Sequence, residues 1–139
     1  MKLSKKVESM QFSPIRRFNP FGFKAEADGK KVYHLNIGQP DVETPECFMD
    51  AIRAYDKKVI AYAESGGIND LRDAVCDYFK GYNMDFAPED IMVTTGGSEA
   101  LNMTFLTILN EGEEVLIPEP FYTNYHTFAT AAGGKVVPI

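Results

Sequence analysis

The sequence predicts an α/β protein built on a parallel sheet, and three observations lead there. From residue 91 onward, apolar runs alternate in the order strand, helix, strand, helix, strand with short connections, the pattern of parallel βαβ units. The helix-length stretches carry their apolar residues at three- and four-residue spacing. The composition, 45% hydrophobic and 24% charged over 139 residues, is that of a globular chain long enough to bury a core.

Taken in order, residues 1–31 mix charge, Phe, Pro and Gly without a sustained period and read as an arm or irregular segment. In "SPIRRFNPFGF", Pro14, Pro20 and Gly22 stand too close together for a long helix. "KVYHLNIGQPD" alternates Tyr33, Leu35 and Ile37 and stops at Gly38 and Pro40, which predicts a short strand and a turn. Thr44-Pro45-Glu46 has the hydroxyl, proline and acid of a helix start. Phe48, Ile52 and Tyr55 then form one apolar face. After "YAESGGIND" the period returns at Leu71, Val75, Tyr78 and Phe79 and ends at Gly81. A strand is expected over Ile91–Thr94, and a helix carrying Leu101, Phe105 and Ile108 that ends near Asn110 and Gly112. A buried strand follows at "EVLIP", then a helix from Phe121 to Ala132 closed by Gly133, and a last strand at "KVVPI". A parallel sheet needs cover on both faces, so a chain stopping on its third strand reads as cut rather than finished.

Charge and composition exclude some partners. A net charge of −6 argues against nucleic acid and anionic membranes, which call for a cationic face. No stretch approaches the roughly 18 apolar residues of a membrane span. The opening "MKLSKKVESMQF" has no apolar run behind its positive charge, so a secretory signal is not expected. Cys47 and Cys76 accordingly read as reduced core thiols of a cytoplasmic protein. With His34 and His126 far apart in sequence, no metal-ligand spacing is present. The Asn102-Met103-Thr104 sequon carries no meaning without secretion.

The candidate chemistry sits in "VTTGGSEAL". A helix starting just after a glycine pair presents backbone N–H groups and the positive end of its dipole. Gly96 and Gly97 have no Cβ, so an anion can approach the main chain there, and Ser98 adds a hydroxyl expected at the N-cap. Plain turn-and-cap chemistry accounts for the same residues without a ligand. No Gly-Lys-Ser/Thr loop and no G-x-G-x-x-G is present, which removes the common nucleotide loops. Tyr122, just beyond the second strand, stands at the edge where open α/β sheets bind ligands, and its ring suits a planar cofactor or simple packing beside Tyr125. "LNIGQPD" offers a glycine N–H at a strand end, and "AYAESGGINDLR" places Tyr62 ahead of another glycine pair.

The order of these four stretches, "LNIGQPD", "YAESGGINDLR", "VTTGGSEAL" and "IPEPFYTNY", resembles the front part of the class I/II aminotransferases, pyridoxal-phosphate enzymes of fold type I. The similarity runs from about Ser13 to Ile139 and is closest to the aspartate-aminotransferase-like group. It implies a three-layer α/β/α large domain with a mostly parallel sheet, of which this chain is the truncated front. Residues 1–14 would be the N-terminal arm that packs on a partner, 15–45 a small-domain or linker segment, and 46–139 the first part of the cofactor-binding domain. The resemblance further implies amino-group transfer between an amino acid and a 2-oxo acid in a homodimer, with pyridoxal 5′-phosphate as cofactor. Gly38 would offer its N–H to the substrate α-carboxylate. Gly96, Gly97 and Ser98 would hold the cofactor phosphate, Tyr62 would reach the phosphate of the other subunit, and Tyr122 would stack on the pyridine ring. Phe18 and Phe21 would either flank the substrate entrance or serve a structural role.

The family's chemistry runs through a lysine that bonds to the cofactor as a Schiff base. That lysine, the aspartate facing the ring nitrogen, a ring-contacting asparagine and the carboxylate-binding arginine all lie, in relatives, beyond the stretch matched here. No lysine of this sequence resembles the family's motif, so the expected catalytic set is empty and the 139 residues are expected to be inactive alone. The strands that would lie between residues 91–94 and 115–117 are also expected from later sequence. Two other readings stay open: a fold type I enzyme performing β-elimination or condensation, and a non-catalytic module that binds a partner or phosphate.

Overall fold

The computed structural model describes residues 2–10 and 12–139; Met1 and Gln11, both within the expected arm, lie outside the described residues. It divides into two compact units: residues 1–38 with 95–139, and residues 39–94.

In the first unit, α1 (Lys5–Ser9) is capped by Ser4, whose hydroxyl accepts the Val7 N–H at 3.3 Å. A 3₁₀ turn over Arg16–Phe18 runs into α2 (Asn19–Ala27). The irregular stretch expected up to residue 31 therefore holds two helices. Pro20 is the reason: it stands in the first turn of α2, where its missing N–H costs nothing and its fixed φ suits the helix. The strand expected at Tyr33–Ile37 is absent. Leu35 donates its N–H to Tyr33 at 3.1 Å in a turn, and no neighbouring strand pairs with the segment among the described residues.

The remainder of this unit is the βαβ core. The helix α5 (Gly96–Ile108) leads to β1 (Glu114–Ile117), α6 (Asn124–Ala131) and β2 (Lys135–Pro138). The two strands pair in parallel, with Val115 opposite Val136 and Leu116 opposite Val137. The ladder extends past the strand ends, the Ile139 N–H reaching Ile117 and the Glu119 N–H reaching Ile139. Phe105 of α5, Ile117 of β1 and Ala129 of α6 are buried; α6 packs on α5, on β2 and on α1. Residues 121–123 stay outside α6, which starts three residues later than its apolar pattern suggests.

α6 returns to β2 through a tight cap. Gly133 has φ +91°, its N–H donates to Thr130, and the Gly134 N–H donates to Ala129. These two bonds satisfy the terminal carbonyls of the helix in the Schellman arrangement, and only glycine takes that φ without strain. The final "AAGGK" is thus a stop signal that turns the chain into β2.

In the second unit, α3 (Glu46–Arg53) and α4 (Asn69–Lys80) are followed by a 3₁₀ turn at Pro88–Asp90. Pro45, not Thr44, stands at the N-cap of α3, and no side chain caps it. α4 follows its periodicity closely: Cys76 is buried, and Phe79 meets Phe86 edge-on at 5.4 Å between centroids. Arg72 donates through Nε to the Pro88 carbonyl at 2.7 Å and holds the turn to the helix. Cys47 is exposed on α3, so it is not the core thiol expected. The apolar face of α3 packs against nothing buried, leaving Phe48 and Ile52 more than half exposed.

Residues 91–94 are extended but belong to no sheet. The Val93 N–H donates to the Gly66 carbonyl at 2.9 Å and the Ile91 N–H to the Pro88 carbonyl at 3.2 Å. The expected first strand of the sheet is corrected here: a strand requires a neighbour on its hydrogen-bonding edge, and among the described residues none is offered.

The surface agrees with this picture of uncovered faces. Large hydrophobic side chains stand exposed in each unit, among them Leu35 and Leu106 in the first and Ile60 and Tyr62 in the second. Four hydrophobic side chains are buried among the described residues: Cys76, Phe105, Ile117 and Ala129.

Candidate functional site

The head of α5 forms from residues with little to bury. Gly96 has φ +77°, and nothing lies within 4 Å of where a Cβ on Gly96 or Gly97 would stand. Both glycines and Ser98 are exposed. The N-cap is Thr95, so Ser98 is the third helical residue rather than the cap expected. Glu99 reaches back one turn, its carboxylate accepting the Thr95 N–H at 2.5 Å. That bond satisfies the donor just ahead of the helix and leaves the first-turn amides of Gly97 and Ser98 where helix geometry supplies no carbonyl. The corner is therefore open and free of side-chain bulk, with first-turn amides that suit a phosphate or carboxylate and the Glu99 carboxylate engaged at the preceding donor.

A cavity of about 520 Å³ lies in the same unit. Ser13, Ile15, Arg16 and Asn19 line one part of it, Asn36, Ile37 and Gly38 a second, and Tyr122 and Asn124 a third. Asn36 donates from Nδ2 to the Ile15 carbonyl at 3.0 Å, tying the first two segments together. Tyr122 is half exposed, its hydroxyl accepts from Asn124 Nδ2 at 2.9 Å, and its ring meets Tyr125 edge-on at 5.8 Å. Two contacts thus fix a ring whose remaining face is open.

Neighbouring residues alternate between two hollows. Phe12, Pro14, Phe121 and Thr123, interleaved with the residues above, line a second cavity of about 280 Å³ with Glu119 and His126. Phe18 and Phe21 line a third hollow of about 310 Å³ that shares Asn19 and Asn36 with the 520 Å³ cavity.

Of the residues singled out in the sequence, Gly38 and Tyr122 meet in one cavity, and Gly96, Gly97 and Ser98 share one helix start. Gly38, like the α5 glycines, has no atom within 4 Å of a Cβ position. Tyr62 belongs to the second unit, where its side chain is fully exposed. Arg16 was not singled out, and nothing in "SPIRRF" separates it from Arg17 before the turn is folded. Among the described residues there is no cluster of three or more His, Cys, Asp or Glu able to hold a metal ion, and no helix long and apolar enough to cross a membrane.

An exposed glycine pair thus opens a helix after an extended segment, and an aromatic ring is held beyond a parallel strand of an α/β fold. Residues 30–139 match the family model "Aminotransferase class I and II", and the chain belongs to that family. It is 34% identical over 139 residues to the aspartate aminotransferase of Bacillus subtilis (strain 168), a match covering 99% of this chain and 35% of that protein. It is also 34% identical over 137 residues to the (5-formylfuran-3-yl)methyl phosphate transaminase of Methanocaldococcus jannaschii, covering 97% and 37% respectively. Among solved structures, a Thermus thermophilus aspartate aminotransferase mutant superposes with a TM-score of 0.91 at 33% identity, over 100% of this chain and 37% of that one. The alanine aminotransferase of Pyrococcus furiosus gives the same TM-score and identity over 99% and 36%. The fold is thus aspartate-aminotransferase-like, and the chain spans about a third of the length of the relatives it matches.

Proposed function

We propose that these residues form the front of a pyridoxal-phosphate enzyme that moves an amino group between an amino acid and a 2-oxo acid. The observation that carries the proposal is the open glycine corner: nothing stands within 4 Å of a Cβ at Gly96 or Gly97, at the head of a 13-residue helix. A phosphate needs that close approach to main-chain amides, and the residues present fit it.

In this reading Gly97 and Ser98 donate to the cofactor phosphate, with Gly96 leaving room for it. Tyr122 lies against the cofactor ring, its orientation held by Asn124 and Tyr125. Gly38 offers its N–H to the α-carboxylate of the substrate in the cavity it shares with Tyr122. Tyr62, fully exposed in its own unit, is the residue that reaches the phosphate of a second subunit in a cytoplasmic homodimer. Residues 1–14 act as the arm, 15–45 as the small-domain or linker segment, and 46–139 as the front of the large domain. Pyridoxal phosphate, when bound, supplies an electron sink for charge developing on the substrate α-carbon. The chain's own residues seat and orient; the lysine, aspartate and arginine of the reaction are not assigned to any residue here, so the 139 residues alone are inactive.

The test is a pair of assays with added pyridoxal phosphate, an amino donor and a 2-oxo acid. The complete reading frame that carries these residues is expected to form the new amino acid, and the 139-residue polypeptide to form none. Turnover by the short polypeptide overturns the inactive assignment. Release of ammonia and a 2-oxo acid by the complete polypeptide, without a new amino acid, replaces transfer by elimination.

A further inference from the structure

The segment that carries Gly38 is held by a side-chain amide more than by packing. Tyr33, Leu35 and Ile37 are 69%, 94% and 51% exposed, so none of its apolar side chains anchors it. Asn36, between two of them, is partly buried and donates from Nδ2 to the Ile15 carbonyl at 3.0 Å. That bond joins residues 21 apart in the chain. Among the described residues, the other hydrogen bond from residues 33–38 to the rest of the chain links His34 Nε2 to Glu26 at 3.0 Å on the surface.

The acceptor is a fixed point. Ile15 precedes the 3₁₀ turn over Arg16–Phe18, which is closed by the Asn19 N–H on the Arg16 carbonyl and runs straight into α2. Gly38 lies two residues beyond the clamp, roughly 7 Å at full extension. It is also the last residue of its unit before residue 95, so its tether within that unit runs back through Asn36. The Gly38 N–H has no hydrogen-bond partner among the described residues, and Gly38 lines the 520 Å³ cavity together with Ile15, Asn36 and Tyr122. An amide without an acceptor at a cavity wall binds only as well as it is placed, because a hydrogen bond weakens steeply when misaligned.

We infer that Asn36 is a positioning residue: by holding the Ile15 carbonyl it sets where the Gly38 N–H meets the α-carboxylate of an amino acid or 2-oxo acid. The assignment rests on the aminotransferase reading above, and adds to it a residue that acts through the main chain rather than on the reacting atoms.

The experiment uses the complete polypeptide loaded with pyridoxal phosphate. Asn36→Leu keeps the size of the side chain and removes the N–H donor without adding charge, whereas Asn36→Gln keeps the donor on a longer stem. Asn36→Leu is expected to raise KM for both the amino acid and the 2-oxo acid by roughly 5- to 10-fold, with kcat within about threefold of wild type and retention of pyridoxal phosphate unchanged. Asn36→Gln is expected to recover part of the KM. A fall in kcat with KM unchanged, a matching loss of cofactor retention, or no change at all overturns the assignment. If no amino donor is turned over, the aminotransferase reading fails by itself, and propionate still decides the clamp. Slower amide hydrogen exchange over residues 36–40 on adding propionate, in wild type and not in Asn36→Leu, supports it. Equal slowing in the two proteins, or none in wild type, overturns it.

Discussion

Val93 stands where a side chain on Gly67 would have to go: a Cβ on that glycine would lie 2.4 Å from Val93 Cγ2 and 2.6 Å from its Cβ. Gly67 also has φ +101° and donates its N–H to Glu64 at 2.9 Å. The glycine pair of "ESGGIND" is therefore explained by packing, because the turn must pass directly against the extended segment 91–94. Gly67→Ala combines backbone strain of about 1–3 kcal/mol with overpacking of similar size. A loss of about 2–4 kcal/mol is expected in urea unfolding followed by circular dichroism. Gly66→Ala, whose Cβ would meet its nearest atom at 3.7 Å, should lose far less.

At the α5 corner the same substitution should behave in the opposite way. Gly97 has open space around it and lies in a helix, where alanine is preferred over glycine by about 1 kcal/mol. Gly97→Ala is expected to unfold no more easily than wild type, yet to retain pyridoxal phosphate at least tenfold less well in the complete polypeptide. Pyridoxal, which lacks the phosphate, serves as the control and should bind both proteins equally. Unchanged retention of the phosphate ester would remove the seat from this corner.

Acid should loosen the turn before β1. Glu113 accepts the Asn110 backbone N–H at 2.6 Å and its side-chain amide at 3.2 Å. These bonds, the backbone one first, hold its pKa below the ordinary 4.5. A carboxylate whose folded pKa is depressed contributes stability that is complete above 4.5 and is lost as pH falls through the lowered folded value. Wild type should therefore lose more stability between pH 6 and pH 3 than Glu113→Gln, measured as the shift in urea midpoint. Parallel curves for the two proteins would show that this carboxylate carries no part of the acid sensitivity.

Much of this structure is legible where local signals act alone. α4 ends at Lys80 because Leu71, Val75, Tyr78 and Phe79 set a helical period and Gly81 closes it. The β1–α6–β2 unit follows from two β-rich runs around a helix with a glycine stop. Residues 33–37 and 91–94 carry strand patterns too, but a strand is a relation between segments, and no partner edge is present among the described residues. α2 escaped notice because Pro20 reads as a breaker until the helix start is known. The same limit applies to the site. Glycines announce a place where a side chain is unwelcome, so Gly38, Gly96 and Gly97 are visible in the sequence; Glu99 as the group that takes the Thr95 N–H, and Asn36 as the clamp on the Ile15 carbonyl, emerge only once the turns are formed.

The interleaving of Phe12, Ser13, Pro14 and Ile15, and of Phe121, Tyr122, Thr123 and Asn124, between two hollows has an evolutionary reading. Positions one apart answer to separate demands, so drift in the lining of one hollow can proceed without disturbing the other. A divergent relative could exchange Ser13, Ile15 or Asn124 for a new preference while keeping the adjacent residues, much as a lock can be re-keyed without rebuilding the door.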